Sequence, residues 1–365
     1  LRICLVSAAL PEVPCGIGDY THHLATALAG LGAEPVVVTT AQPGLRTGQA
    51  YETRPIATSW RLADVARIAR AVDRTKPDLV HIQFPGTGYG RGFGVTSLPW
   101  ALMAAHPRRP RAITFHEFDR LSRRHRLRVA VGALPCRLVI APGEALARSA
   151  SKYLSWRPRT RIVDVPLASN LIPAAAADQR VESFRRERGE IVVGYLGFMR
   201  PDKGLETLIE AFVVVREAHP ARLVFAGDSG PETEYVELIR ALVHGAGLDD
   251  DTLFTGPLPR PDLSAALLGF DVCVLPFRDG LTPNRGSYAA AVAHGIPVVT
   301  TSPDGPGLDI GTNTLFAEPG DVAGLAEAIL RHAVSPRLRP SQTIWAEWTA
   351  IAERHLELYG ELLEA

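Results

Sequence analysis

The feature that most restricts this chain is an alternation that runs twice. Short, almost continuously apolar runs at 3–6, 35–39, 79–83, 111–115, 138–141 and 162–166 read as strands, separated by helical patterns at 20–31, 59–75, 97–105, 124–133 and 144–153. The alternation restarts with strands at 191–196, 222–226, 252–255, 272–276 and 297–300, interleaved with helices at 204–219, 235–246, 262–268 and 321–333. Strands that are apolar on both faces and joined by helices form parallel sheets covered on both sides. An α/β chain with two such domains is expected. Its 365 residues agree, since single cores stop growing near ~250–300 residues. Residues 170–178 read as the linker, which divides the chain at 1–172 and 173–342.

Lysine plus arginine and aspartate plus glutamate both number 39, which speaks against a nucleic-acid binder with a net basic face. Cys4, Cys15, Cys136 and Cys273 are scattered without a Cys-x-x-Cys pair, so neither a zinc site nor a disulfide framework is expected. The first six residues read as a strand rather than a leader, and no apolar run reaches ~18 residues. A reduced, cytoplasmic protein is the simplest expectation. The runs Arg108-Arg109-Pro110-Arg111 and Arg120 to Arg128 leave a peripheral membrane contact open beside the plainer reading of a solvated face. Oligomeric state is not legible.

The segment from Asp279 to Thr301 is a polar loop, a small-residue helix, a stop at Gly295 and a buried strand. Asn284-Arg285-Gly286-Ser287 opens the helix, where unpaired N–H groups and the helix dipole favour an anion. Arg285 adds a fork-shaped charge suited to phosphate. An ordinary loop–helix–strand unit with one exposed arginine is the plainer alternative. The tail Ala291-Val-Ala-His-Gly295-Ile-Pro297-Val-Val299 argues against it.

That tail resembles the nucleotide-sugar loop of the GT-B glycosyltransferases, specifically the large retaining family four, in which Glu, seven residues and a second Glu usually precede it. Thr282 and Ala290 stand at the two glutamate positions here, and Asp279-Gly with Arg285-Gly-Ser looks like a sub-branch in which an arginine replaces the acidic pair. The resemblance implies two facing Rossmann-like domains with a cleft between them. It also implies a final helix, 343–365, that crosses back onto the first domain. The donor's sugar and ribose contacts are then expected to shift to Asp279, Thr282 and Asn284.

The other motifs follow predicted strands, where open α/β sheets bind ligands. Gly194-Tyr-Leu-Gly197-Phe-Met-Arg200-Pro-Asp-Lys203-Gly204 resembles the family's Lys-Gly loop, so Lys203 would meet a diphosphate. The family's usual arginine after the first loop glycine is Phe198 here, with Arg200 two residues on, and Arg285 reads as an exchange for it. Gly227 matches the family's glycine turn near the nucleotide base. Gly16-Ile-Gly18 resembles the glycine loop near donor phosphate and acceptor, though alone it reads equally well as a tight turn. His116 matches a family histidine near the donor sugar, with a buried, backbone-satisfied histidine as the alternative. Asp19, Gln83, Tyr89, Glu117 and Asp119 are candidate acceptor contacts, and the glycine-rich stretch from Gly86 to Gly92 a candidate gate.

The implied reaction is transfer of a sugar from a nucleotide-diphosphate donor to the hydroxyl of a small-molecule or glycan acceptor, with retained configuration. His116, Lys203 and Arg285 are the expected catalytic residues. No cofactor or metal is implied: the nucleotide sugar is a substrate, and Asp249-Asp-Asp251 lies in a turn and reads as solvated surface. Three rivals stand beside this reading: a pseudo-glycosyltransferase, a phosphorylase or epimerase on the same fold, and a non-catalytic nucleotide-sugar binding subunit.

Overall fold

A computed structural model of the chain describes all residues except 13–14, 42–43, 46–49, 85–88, 91, 119–120, 158, 186–188, 228–232, 283–284, 306, 310–312, 334–347 and 365. Asp119 and Asn284 of the expected site lie outside the described residues. The chain divides into two compact units, Leu1–Asn170 with Ala346–Ala365, and Leu171–Trp345.

The first unit runs β1 (Arg2–Val6), α1 (Gly16–Gly30), β2 (Glu34–Thr40), β3 (Glu52–Ala57), α2 (Val65–Arg74), β4 (Leu79–Phe84), α3 (Gly94–Ala105), β5 (Arg111–Phe115), α4 (Arg123–Ala133), β6 (Leu138–Ile140), α5 (Glu144–Leu154) and β7 (Arg161–Val163). Its seven strands are parallel, in the order β3-β2-β1-β4-β5-β6-β7. The central strands are buried along both faces, which their unbroken apolar sequences require.

The second unit runs α6 (Gln179–Phe184), β8 (Ile191–Leu196), α7 (Leu205–Ala218), β9 (Ala221–Ala226), α8 (Thr233–Gly245), β10 (Thr252–Phe254), α9 (Arg260–Leu268), β11 (Val272–Leu275), α10 (Gly286–Ala293), β12 (Val298–Thr301), β13 (Gly307–Asp309), β14 (Thr314–Ala317) and α11 (Val322–Ala333). Its sheet is ordered β10-β9-β8-β11-β12-β14-β13, parallel except for the β13–β14 pair. Residues 172–174, read as free linker, are strapped to α9: Ser264 Oγ donates to Ile172 O and accepts from Ala174 N, both at 2.8 Å.

In each sheet the chain leaves the middle in opposite directions, between β1 and β4 and between β8 and β11. Such switch points open a crevice at the carboxyl ends of the two strands.

The last helix, α12 (Trp348–Glu364), belongs to the first unit. It buries Ile351, Ala352, Leu358, Tyr359 and Leu362, and also His355. That polar residue is matched from below. Tyr20 OH and His355 Nε2 lie 3.3 Å apart, and His355 Nδ1 donates to Ile351 O at 2.8 Å. The Tyr359 hydroxyl meets His81 Nδ1 at 2.5 Å, and His81 Nε2 meets Thr114 Oγ1 at 2.7 Å. Burial holds His81, His116 and His355 of the first unit neutral: it pushes His116 to about 3 and His355 to about 4, and drives His81 well below its ordinary value.

This cluster makes the first unit acid-sensitive. The unfolded chain binds protons at the ordinary 6.5, before the folded chain does. Neutral histidines therefore contribute full stability above that pH and lose it as pH falls toward the folded values, at up to ~1.4 kcal/mol per pH unit each. Urea melts should show the first unit weaker by a few kcal/mol at about pH 5 than at about pH 7. Equal midpoints would mean that the histidines are already protonated in the folded chain.

Candidate active site

The second unit's switch point collects charge. The loop after β8 contains a one-turn helix, Pro201–Lys203, closed by Gly204 at φ 67°. A Cβ at Gly204 would stand 2.2 Å from the carbonyl oxygen of Pro276, just past β11. Only glycine lets the two strand ends approach so closely, and that approach places Lys203 over the end of β11. From the other side come the loop after β11 and the start of α10. Leu281 N donates to Thr301 O at 2.8 Å and Arg285 N to Thr282 O at 3.1 Å, which fix the loop against β12.

Three cations meet there around one carboxylate. Arg285 Nη1 donates to Asp202 Oδ2 at 3.0 Å, and Arg200 donates through Nε and Nη2 to the two Asp202 oxygens at 3.1 and 3.2 Å. Lys203 Nζ lies 3.4 Å from the same Oδ2. The second Arg285 nitrogen, Nη2, donates to Asp279 Oδ1 at 2.5 Å. Beneath the cluster lies the buried ring of Phe277, with the Arg285 guanidinium 4.1 Å and the Lys203 ammonium 5.1 Å from its centre. Such cation–π contacts favour charge in a desolvated place. Arg285 is only 4% exposed, and its Nε is buried without a hydrogen-bond partner among the described residues.

Electrostatics follow from the crowding. Burial, then the Arg285 charge, push the Lys203 ammonium down to about 8. Burial alone would raise the Asp202 carboxyl. The Arg200 hydrogen bond and the neighbouring Lys203 and Arg285 outweigh it and hold that group well below the usual carboxylate range. The Arg285 side chain makes no capping hydrogen bond to α10, so the first turn, Gly286 and Ser287, adds backbone donors at the cluster's edge. The arrangement suits a polyanion that replaces Asp202 as the cations' partner.

Of the remaining donor residues, Gly227 sits at φ 129°, and a Cβ there would approach Gly197 O to 2.8 Å, so the turns after β8 and β9 touch. Thr282 is half-buried in the fixed loop, and Asp279 accepts from Arg285. Ala290, at the second glutamate position, is buried in the core and presents no surface. Phe198 is exposed, and the guanidinium beside Lys203 comes from Arg285 and Arg200.

In the first unit, Gly18 packs α1 against the preceding loop, since a Cβ would lie 3.1 Å from Ala9 and Leu10 backbone, whereas Gly16 faces open space. Asp19 occupies the first turn of α1. His116 Nε2 donates to Gln83 Oε1 at 3.0 Å at the ends of β5 and β4, with the Tyr20 ring 4.8 Å away edge-on. Glu117 is exposed beside them. Tyr89 corrects the sequence reading. It is a core residue whose hydroxyl donates to Val6 O at 3.0 Å and whose ring packs on Trp60, leaving nothing for an acceptor. Asp251 is likewise no solvated aspartate, because it pairs with Arg222 and Arg216 at the opposite, amino-terminal edge of the sheet. Asp202, Phe277 and the histidine cluster were missed by sequence reasoning. The Asp between Arg200 and Lys203 was the available signal.

Comparison with known proteins places the molecule. The sequence model described as Glycosyltransferase Family 4 matches residues 14–167, and that described as Glycosyl transferases group 1 matches residues 190–333. The chain belongs to this family of glycosyltransferases, and its two units have the GT-B fold. It is 31% identical over 180 residues to a 2-deoxystreptamine glucosyltransferase of Streptomyces kanamyceticus, covering 47% of this chain and 45% of that protein. It is 29% identical over 283 residues to a 2-deoxystreptamine N-acetyl-D-glucosaminyltransferase of Streptomyces fradiae, covering 73% and 65%. The chain thus spans between about half and two thirds of those relatives. Among solved structures, the sucrose-phosphate synthase of Thermosynechococcus elongatus matches with a TM-score of 0.74 at 19% identity, covering 100% of this chain and 99% of that one. Anabaena HepE in complex with UDP matches with a TM-score of 0.74 at 19% identity, covering 99% and 100%.

The Lys203 site makes a pH prediction. Below pH 8 the ammonium is charged before ligand arrives; above it, binding an anion must take up a proton. A nucleoside diphosphate, titrated calorimetrically, should bind with constant affinity near neutrality and up to about tenfold more weakly per pH unit in the alkaline range. Lys203→Arg should flatten that dependence, because guanidinium stays charged. A wild-type affinity that is flat through pH 9 would remove Lys203 from the phosphate site.

Proposed function

We propose that the chain is a retaining glycosyltransferase that moves a sugar from a nucleotide-diphosphate donor to an acceptor hydroxyl without a metal. The observation that carries this is the convergence of Lys203 and Arg285 over Phe277 at the β8–β11 switch point, beside the uncapped start of α10. As the bond between the sugar and the leaving diphosphate breaks, negative charge grows on the phosphate. Fixed cations and backbone N–H groups in a desolvated site stabilise that charge most when it is fully developed, and so accelerate the step. The diphosphate takes Arg285 and Lys203 over from Asp202, which keeps Arg200. The resemblance to family four supports same-face attack, with a donor phosphate oxygen receiving the acceptor's proton. His116, neutral through burial, serves as a hydrogen-bond partner for the sugar rather than as a charged acid.

The acceptor reading rests on the relatives' names. Two act on 2-deoxystreptamine and two on D-inositol 3-phosphate, all cyclohexane polyols. A cyclitol is therefore the acceptor class we favour.

The test is a radiolabelled transfer assay across common nucleotide sugars, with and without cyclitol acceptors. Acceptor-dependent nucleotide release that survives chelator is expected. Arg285→Ala should lose about 2–4 kcal/mol of transition-state stabilisation, roughly 30- to 1,000-fold in kcat/KM. A thermal melt of the variant separates that loss from unfolding. Unchanged turnover in a folded Arg285→Ala protein, or full dependence on added magnesium or manganese, would overturn the reading. Donor binding without any turnover would favour the binding-subunit alternative.

A further inference from the structure

The charge of this neutral chain is unevenly placed. Residues 79–143 contain ten arginines and no lysine, against only Glu117 and Asp119, a local excess of eight positive charges (10 − 2). The densest part is α4, whose sequence opens Arg-Arg-His-Arg-Leu-Arg and holds no acid. On α4 the inward face is small and apolar: Val129, Ala130, Gly132 and Ala133 are buried. A Cβ at Gly132 would stand 2.6 Å from Thr96 O, so α4 is seated closely on α3 and its outer face is a fixed surface.

That outer face is not an ordinary solvated one. Arg124, Leu127 and Val131 follow each other at helical spacing and are all exposed, Leu127 by 59% and Val131 by 48%. The neighbouring helix extends the stripe. Trp100 on α3, 40% exposed, donates its Nε1–H to Val131 O at 3.0 Å. Phe93, just before α3 and 60% exposed, lies under the Arg128 guanidinium at 4.9 Å. Four large apolar side chains thus stand out from a tight pair of helices among arginines.

The chemistry selects the partner. A soluble polyanion would meet the arginines but offer nothing to Phe93, Trp100, Leu127 and Val131. An apolar protein groove would bury the arginines without counter-charge. An anionic lipid surface satisfies both, with headgroup phosphates for the guanidinium groups and the acyl boundary for the apolar tips. We propose that the α3–α4 face of the first unit docks peripherally on anionic membranes. This proposal does not depend on the transfer reaction.

The experiment is co-sedimentation of the full chain with vesicles of phosphatidylcholine alone and of phosphatidylcholine mixed with phosphatidylglycerol, at low and high salt. Binding to the mixed vesicles only, weakened by salt, is expected. Arg123→Gln with Arg124→Gln should lower the partition coefficient about 30-fold. Leu127→Ser with Val131→Ser should also lower it, although the charge is untouched. All four side chains are exposed, and circular dichroism checks that the variants fold. Failure of the wild-type chain to pellet with mixed vesicles overturns the proposal without any variant, as does equal pelleting with neutral ones. Retention on heparin together with undiminished vesicle binding by the Leu127/Val131 variant would also overturn it, in favour of plain polyanion attraction.

Discussion

Arg200, Lys203 and Arg285 could not share one half-buried crevice without a negative charge among them, and Asp202 supplies it. Its two oxygens accept from both arginines and face the lysine. Attraction between opposite charges at such distances is about 4 kcal/mol at an effective dielectric near 20, so the carboxylate holds the three cations together. The same arrangement suits the proposed diphosphate. The cations are held at fixed places, their partner is replaceable, and the Arg285 Nε donor has no partner among the described residues. The fold serves this cluster through the Gly204 turn against Pro276 and the loop tied to β12.

Much of this was legible in the sequence because the relevant signals are local. Central strands such as β1, β8 and β11 are apolar on both faces and identify themselves. The edge strand β3 does not: Arg54 and Pro55 are exposed in it, and it has no alternation to read. The β13 and β14 pair was missed for a different reason: at 3 and 4 residues the two strands are too short to show a pattern. Lys203 was legible as a candidate through the Lys-Gly loop, and Arg285 through its place at a helix start. Asp202 as their common partner was not, because Arg285 lies 83 residues away along the chain. His355 and Tyr359 read as one helix face, while their partners Tyr20 and His81 are 335 and 278 residues distant.

The two departures from the family pattern acquire a physical sense together. Phe198 leaves the turn after β8 without its usual arginine, and Arg285 brings a guanidinium to the same crevice from α10. With Ala290 in the core, the helix carries the Arg285 charge at its start and no carboxylate at that second position. In the first unit the buried histidines place a polar but uncharged lining at the ends of β4 and β5. A cationic cluster and a neutral polar one thus sit on separate units.

The most direct measurement is a crystal structure of the chain with a nucleoside diphosphate, read at the Arg285 side chain. The account predicts phosphate oxygens within hydrogen-bond distance of Arg285, Lys203 and the first N–H groups of α10, with the Arg285–Asp202 contact opened. Phosphates bound wholly at the β1–α1 loop of the first unit, with Asp202 still holding Arg285, would contradict it.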